Sequence, residues 1–333
     1  MPITLAEAKV GMADHVDQKV IEIFQRSSFL LDALTFDDAI SPGTGGSTLT
    51  YGYVQELTPS TAGVRTINRE YTANEAKRTE KNTKAIIMGG AFEVDRVIQA
   101  TSGAINELNY QLNDKIKATA SEFHNLVVNG SSVSDDAGYK GGTFDGLRKL
   151  LSGTSNELNT TVDVSTGDKR TSAGHDFLDE LDALIASILG GADMLLMNKK
   201  MLGVVRSIAR RAGYHESKRD ELGRVVETYN GIPMVDLGTY YDATTGKEVD
   251  VLANDTTSDS TSDSTTGSII AVHFDLAKGL HGISPVGGAD GLIHTYLPDL
   301  NAPGAVKKGE VELVAGMALK NSKAAGILKG IKI

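Results

Sequence analysis

Ile105, Leu108, Leu112, Ile116, Phe123 and Val127 recur at spacings that place them on one side of a helix, and the run stops at Asn129-Gly130. A helix from residue 105 to 127 is about 34 Å long, and the expected rod extends from just after Asp95 to about Val128. Asn106, Asn113, Lys117 and Ser121 fall on the opposite side, which predicts a half-buried helix. A glycine-punctuated stretch, GYKGGTFDGLRKLLSG at 138–153, then predicts turns and a second, short helix.

Around that rod the periodicity changes repeatedly. Residues 14–34 carry Val16, Val20, Ile21, Phe24, Leu30, Leu31 and Leu34 at helical spacing, with Asp14 placed to cap them, ahead of a Ser-Pro-Gly-Thr-Gly-Gly linker at 41–46. Leu49, Tyr51 and Tyr53 alternate with Thr48, Thr50 and Gly52, the period of a strand with one buried face. From Glu56 to Thr83 the chain is polar and charged, and Ala85-Ile86-Ile87-Met88 then leads through Gly89-Gly90 to Phe92 and Val94. The simplest geometry is a long two-stranded excursion with an apolar base and a charged tip. A lone hairpin is marginal in water, so such an excursion is either a solvated hairpin or an arm ordered by a partner surface, which would be a second copy. The residues that would meet the partner are Arg65, Arg69, Lys77, Arg78, Lys81 and Lys84, together with Phe24 on the N-terminal helix.

The second half predicts a helix over 175–190 closed by Gly190-Gly191, a buried strand Met194-Leu195-Leu196-Met197, and a helix capped by Asn198 with Arg206, Arg210 and Arg211 toward its C-terminal end. GRVVETYNGIPMVDLG reads as a hairpin about Asn230-Gly231, with Pro233 suggesting an edge strand. TTSDSTSDSTTGS at 256–268 is low-complexity and reads as a disordered loop tip. Strands resume at 269–274 and 292–296, and VELVAGMALKNSKAAGILKGIKI is strand-like again.

Composition narrows the functions. A formal charge of −10 argues against a dedicated nucleic-acid binder. With no cysteine there is no disulfide, thiolate metal site or thiol nucleophile. No Walker A loop, Gly-x-Ser-x-Gly or His-Glu-x-x-His occurs. The seven histidines are scattered, and Asp255, Asp259 and Asp263 lack the closing glutamate of an EF-hand. No catalytic, cofactor or metal residue is expected, and nowhere do 18 apolar residues run together as a membrane span would require.

The order of these pieces resembles the major capsid proteins of tailed phages of the HK97 type: helical arm (14–34), extended loop (47–92), spine helix ending at Asn-Gly, Gly-rich segment with a short helix (129–153), helix–strand–Asn–helix (175–211), Gly-x-Pro strand (224–237), apical loop (240–268) and a terminal stretch containing Lys-Asn (311–333). The resemblance implies an α+β fold with an N-terminal arm (1–46), an extended hairpin (47–92), an interleaved peripheral domain (93–153 and 292–333) and an axial domain (154–291) with a flexible insertion at 240–268. It implies a structural protein that self-assembles into pentamers and hexamers of an icosahedral shell around DNA held only non-specifically. A separate scaffolding protein and a portal protein would be partners, a decoration protein is left open, and no membrane is involved. Its place would be the virion, with the host cytoplasm during assembly. A nanocompartment shell of the same fold, and a two-domain enzyme or binding module, remain as alternatives.

Overall fold

A computed structural model describes residues 29–38, 40, 48–101, 106–213, 216–219, 225–259, 262–285, 292–299 and 301–333. In chain order the elements are α1 (Phe29–Ala33), β1 (Phe36–Asp37), β2 (Thr50–Thr58), β3 (Lys77–Lys84), β4 (Ile86–Asp95), α2 (Arg96–Thr101), α3 (Glu107–Asn129) and α4 (Leu147–Leu151). Next come β5 (Glu157–Asn159), α5 (Gly167–Ser172), α6 (Gly174–Ser187), β6 (Met194–Met197), α7 (Lys199–Ala212), β7 (Glu216–Arg219), β8 (Val225–Tyr229), β9 (Ile232–Asp236), β10 (Thr239–Asp242) and β11 (Lys247–Asp250). The series ends with β12 (Asp255–Asp259), β13 (Ser262–Val272), β14 (Leu280–Ile283), β15 (Ile293–Tyr296), β16 (Val306–Leu319) and β17 (Ala325–Lys332).

Two sheets carry this α+β architecture. In the five-stranded one, β16 is the axis: β4 pairs antiparallel with its residues 306–315, β15 with 310–313, and β14 with 316–319, while β1 adds in parallel to β14. The spine helix α3 lies on this sheet. Its Leu108, Leu112 and Ile116 pack on Phe92, Val94 and Val311, and Phe123 and Leu126 join Met88, Leu313 and Met317. The predicted stripe therefore forms; Ile105 lies outside the described residues. Asn106 caps the helix by accepting from the Asn109 amide, and the rod is preceded by a separate turn of helix, α2.

The expected polar side holds only for the first half of α3. From Thr119 to Val128 the helix is buried all round, apart from the partly covered Glu122, and Ser121 donates to the Thr239 carbonyl at 2.8 Å because the β10–β11 hairpin covers that side. Gly130 ends the helix in extended backbone, not in the left-handed conformation usual for such a stop. Its role is close approach. Cβ atoms at Gly130 and Gly146 would come within 2.5 Å of the Phe144 carbonyl and 2.7 Å of the Gly130 amide, so the two glycines let α4 dock against the end of the spine.

The eight-stranded sheet runs β5-β17-β13-β6-β9-β8-β7, with β12 on β13. Leu195, Met197, Ile269 and Ala271 face α6 and α7 through Phe177, Leu181, Met201 and Val205, whereas Leu196, Ile270, Val272 and Ile327 face the cluster containing α3 and α4. Coverage on both faces explains why β6 reads as an unbroken apolar run. Asn198 caps α7 as expected, accepting from the Met201 amide at 2.8 Å. Asn230 and Gly231, at φ 51° and 78°, form the β8–β9 turn.

Three expectations are corrected. Pro233 is not on an edge strand, since β9 lies between β6 and β8; it is tolerated because the β6 ladder begins only at Met234. Within 240–268, β10 pairs with β11 and β12 with β13, so the described parts of the segment are strands where a loop was expected; residues 260–261, at its tip, lie outside the described residues. Its threonines favour strand, and β13 continues directly into the buried Ile269–Val272. Residues 292–333 do not stay together. Asn321 caps a short turn at Ser322–Ala324 that sends the chain from β16 in one sheet to β17 in the other. Residues 1–28 and 41–47, and with them Phe24, Asp14 and the linker, lie outside the described residues.

Candidate functional site

The feature that leaves the body is the β2–β3 hairpin, paired from Thr50↔Lys84 to Thr58↔Lys77. Its foot is held by long-range bonds. Tyr53 Oη donates to the Leu319 carbonyl at 3.0 Å, Gln55 Nε2 to the Lys320 carbonyl at 2.6 Å, and Thr83 Oγ1 to the Met317 carbonyl at 2.9 Å. Tyr51 Oη donates to Asp37 Oδ2 at 3.1 Å. Tyr51 and Tyr53 also cover the small apolar cluster of Ile40, Ala85, Ile283 and Ala318. Burial raises the Tyr53 phenol above its usual range, which keeps it a neutral donor.

Past the foot, residues 56–76 are all exposed. The ends of the excursion are tied by Asn74 Oδ1 accepting from the Thr61 amide at 3.2 Å, and a turn closes between Arg69 N and Thr66 O with Asn68 at φ 65°. Arg65 donates to the Arg69 carbonyl at 3.3 Å and sits over the Tyr71 ring at 5.4 Å. Arg65 and Arg69 thus meet at the tip. Lys77 and Arg78 lie at the outer end of β3, opposite Thr58 and Glu56; Lys81 is opposite Tyr53 and Lys84 opposite Thr50 at the base. All six are exposed, spread along the hairpin and not converging on a pocket.

The sequence reading concentrated on these cations and passed over the apolar side chains between them. Val64 is 102% exposed and Ile67 89%, and Val54, Leu57 and Tyr71 are exposed as well. Such a concentration on one excursion marks an interaction surface. The signal was available as apolar residues within a charged stretch. From Glu56 to Lys84, six cations stand against Glu56, Glu70, Glu75 and Glu80, so the hairpin is net basic in a chain of charge −10.

Elsewhere, an open groove of about 310 Å³ is lined by Ile87, Met88, Gly89, Gly90, Ala91, Glu310, Val311 and Glu312 on the β4–β16 surface. Among the described residues no three His, Asp or Glu side chains are grouped to hold a metal ion. No helix there is long and apolar enough to cross a membrane.

The sequence pattern of the SU10 major capsid protein family matches residues 11–240. The chain belongs to that family. No curated protein matches it by sequence. Its fold is similar to that of the holo-SrpI encapsulin complex from Synechococcus elongatus PCC 7942, with 13% identity, 100% of this chain and 97% of that one covered, and a TM-score of 0.60. Mycobacterium phage Ogopogo gives 11% identity, 99% coverage of both chains and a TM-score of 0.57. The capsid of the Myoviridae phage XM1 gives 13%, 96% and 97%, and 0.56. At these identities the likeness establishes the fold, which is the HK97-like capsid fold. With the family it makes this chain a phage major capsid protein, a non-enzymatic structural protein of the virion that forms an oligomeric shell.

Proposed function

We propose that this major capsid protein builds pentamers and hexamers of an icosahedral head, with the β2–β3 hairpin of each subunit lying on a neighbour. The observation that carries this is a hairpin whose foot is fastened by four side-chain bonds while its outer part exposes Val64, Ile67 and Tyr71 among cations. Burying a Val or Ile side chain fully is worth about 1.5–3 kcal/mol, a gain open to the tip only through another subunit. Arg65, Arg69, Lys77, Arg78, Lys81 and Lys84 then meet the acidic remainder of the neighbour. Phe24 joins them from the N-terminal arm.

The five-stranded sheet with the spine helix is the peripheral domain of this reading and the eight-stranded sheet the axial domain, so the bounds shift to place Ala325–Lys332 in the latter and Leu280–Ile283 in the former. A separate scaffolding protein and a portal protein act during assembly in the host cytoplasm, and a decoration protein could bind the finished head. DNA is enclosed without specific contacts, as the negative charge favours. Maturation repacks subunits between two packed arrangements and involves no chemistry.

Removing residues 58–82 tests the reading. The expected outcome is a folded subunit that forms no closed shells, by electron microscopy and sedimentation, with and without a scaffolding protein. Normal shells from that variant would overturn the bridging role. The similarity to an encapsulin over the whole chain supports a second reading, a nanocompartment. Purified particles decide between them: nucleic acid inside supports the phage head, a protein cargo the nanocompartment.

A further inference from the structure

The root of the hairpin contains a group the shell reading does not use. His281, on β14, is fully buried, and neither ring nitrogen makes a well-aligned hydrogen bond, the Gly279 backbone being only a weak partner. A buried imidazole normally satisfies at least one nitrogen. Its neighbours are the parts that seat the hairpin. The Tyr51 ring meets it edge-on, with centroids 5.8 Å apart at 76°, and Tyr51 is the residue that bonds Asp37. His281 pairs with Ala318 in the ladder that continues to Leu319, whose carbonyl takes the Tyr53 hydroxyl.

Burial, and one of the three nearby charges, oppose a proton at this site. Lys320 places its ammonium 5.5 Å from the Tyr51 ring centroid and donates to the Leu276 carbonyl at 2.6 Å. Two carboxylates face the site. Asp37 from β1 accepts from Tyr51, and Asp275 accepts from the Ala277 and Lys278 amides at 3.2 and 3.0 Å. Burial and then Lys320 hold the imidazole below its ordinary value, against weaker help from the Gly279 backbone, Asp37 and Asp275. Tyr51 and Tyr53 are the other titratable groups there.

We propose that His281 is an acid-sensitive latch: its neutral imidazole lets the foot of the hairpin sit on β14 and β16, and its protonation unseats the hairpin. A charged imidazole in that site is a buried cation beside Lys320 with the Gly279 carbonyl to take one of its two N–H groups, and the least costly relief is to lift Tyr51 and admit water. The sign follows. A group whose seated form binds protons more weakly than the open one stabilises seating above the ordinary histidine value, near 6.5, and loses that contribution as pH falls. One proton per subunit changes the ratio of seated to open hairpins by up to about tenfold per pH unit. The inference concerns the single subunit and stands whether or not the hairpin bridges neighbours.

The test is amide hydrogen exchange on the full-length chain, dilute and unassembled, between pH 8 and 5, corrected for the intrinsic pH dependence of exchange. Protection of residues 49–58 and 77–85 is expected to fall by up to about tenfold per pH unit below about 6.5, while residues 194–197 stay unchanged. H281M is expected to keep 194–197 protected and to flatten the response of the hairpin foot. A wild-type foot that does not respond, or an equal response in H281M, would overturn the latch. Should H281M not fold, the wild type carries the test alone through NMR of its histidines. The His281 resonance must titrate together with the loss of foot protection, and separate midpoints overturn the proposal. Shell formation by the deletion variant is scored independently, so the two readings fail separately.

Discussion

Strand β6 and strand β2 show how differently one chain can use extended backbone. In β6, Leu195, Leu196 and Met197 are buried alternately against two helix-bearing layers. In β2 no residue is fully buried; Tyr51, Tyr53 and Gln55 are half-covered at the foot and the other face is open. The first is stabilised within its own subunit. The second is held at one end, and its remaining apolar surface, Val54 and Leu57, is exposed. In the proposed reading, stability of the subunit and stability of the shell are written into separate regions.

Substitutions should separate those two kinds of stability, beginning with the deepest. Phe177→Ala empties a fully buried site between α6 and the eight-stranded sheet and is expected to cost about 3–5 kcal/mol, seen as a large fall in the denaturant midpoint of the free subunit. A drop no larger than a surface change produces would mean that this core is not where the subunit's stability lies. Gly146→Ala drives a methyl group into the Val128 carbonyl and the Gly130 amide, both within 2.7 Å. Overpacking of this kind costs about 1–3 kcal/mol, and thermal melting of the subunit measures it. Asn198→Ala loses the cap of α7 and the bonds to Leu252 O and Asn254 Oδ1, with an expected cost of about 1–2 kcal/mol in the same assay; melting at the wild-type temperature would show the cap to be dispensable.

What was legible in the sequence was what neighbours along the chain decide. The stripe on α3, the cap at Asn198, the turn at Asn230-Gly231 and the alternation through Tyr51 and Tyr53 are each fixed within a few residues. Long-range partnerships were not legible. Tyr53 and Leu319 are 266 positions apart, and nothing local says that a Ser-Thr-Asp stretch will continue a core strand or that β17 leaves the sheet of β16. The glycine at 130 was read correctly as a stop but for a different reason, since its crowding by Phe144 exists only once α4 has docked. The excursion could be read because it is long and charged. Its apolar contacts could not, because single Val and Ile residues in a polar segment carry no periodicity.

The contrast sharpens at the hairpin tip. Val64→Ser with Ile67→Ser is expected to leave subunit stability within about 0.5 kcal/mol of the wild type while sharply reducing shell yield in the electron microscope. A lowered subunit midpoint would break the comparison, because the tip would then be supporting its own fold. The smallest effect is expected at the surface. The Lys169 ammonium, 2.6 Å away, holds Asp163 down to about 2. Lys169 is exposed and Asp163 partly so, and the pair contributes less than about 1 kcal/mol. That contribution is present above the ordinary carboxylate value and fades as pH falls toward 2, and Asp163→Asn should remove this part of the acid dependence of unfolding.

The placement of β16 and β17 has a consequence for timing. β16 is the axis of the five-stranded sheet and β17 an interior strand of the eight-stranded one, so the first cannot close before residue 319 has left the ribosome and the second not before residue 332. A nascent subunit holds its hairpin and spine in the open, without the surface that seats them, until β16 and Lys320 have been made. Seating of the hairpin thus waits for β16 to emerge behind the elements it joins.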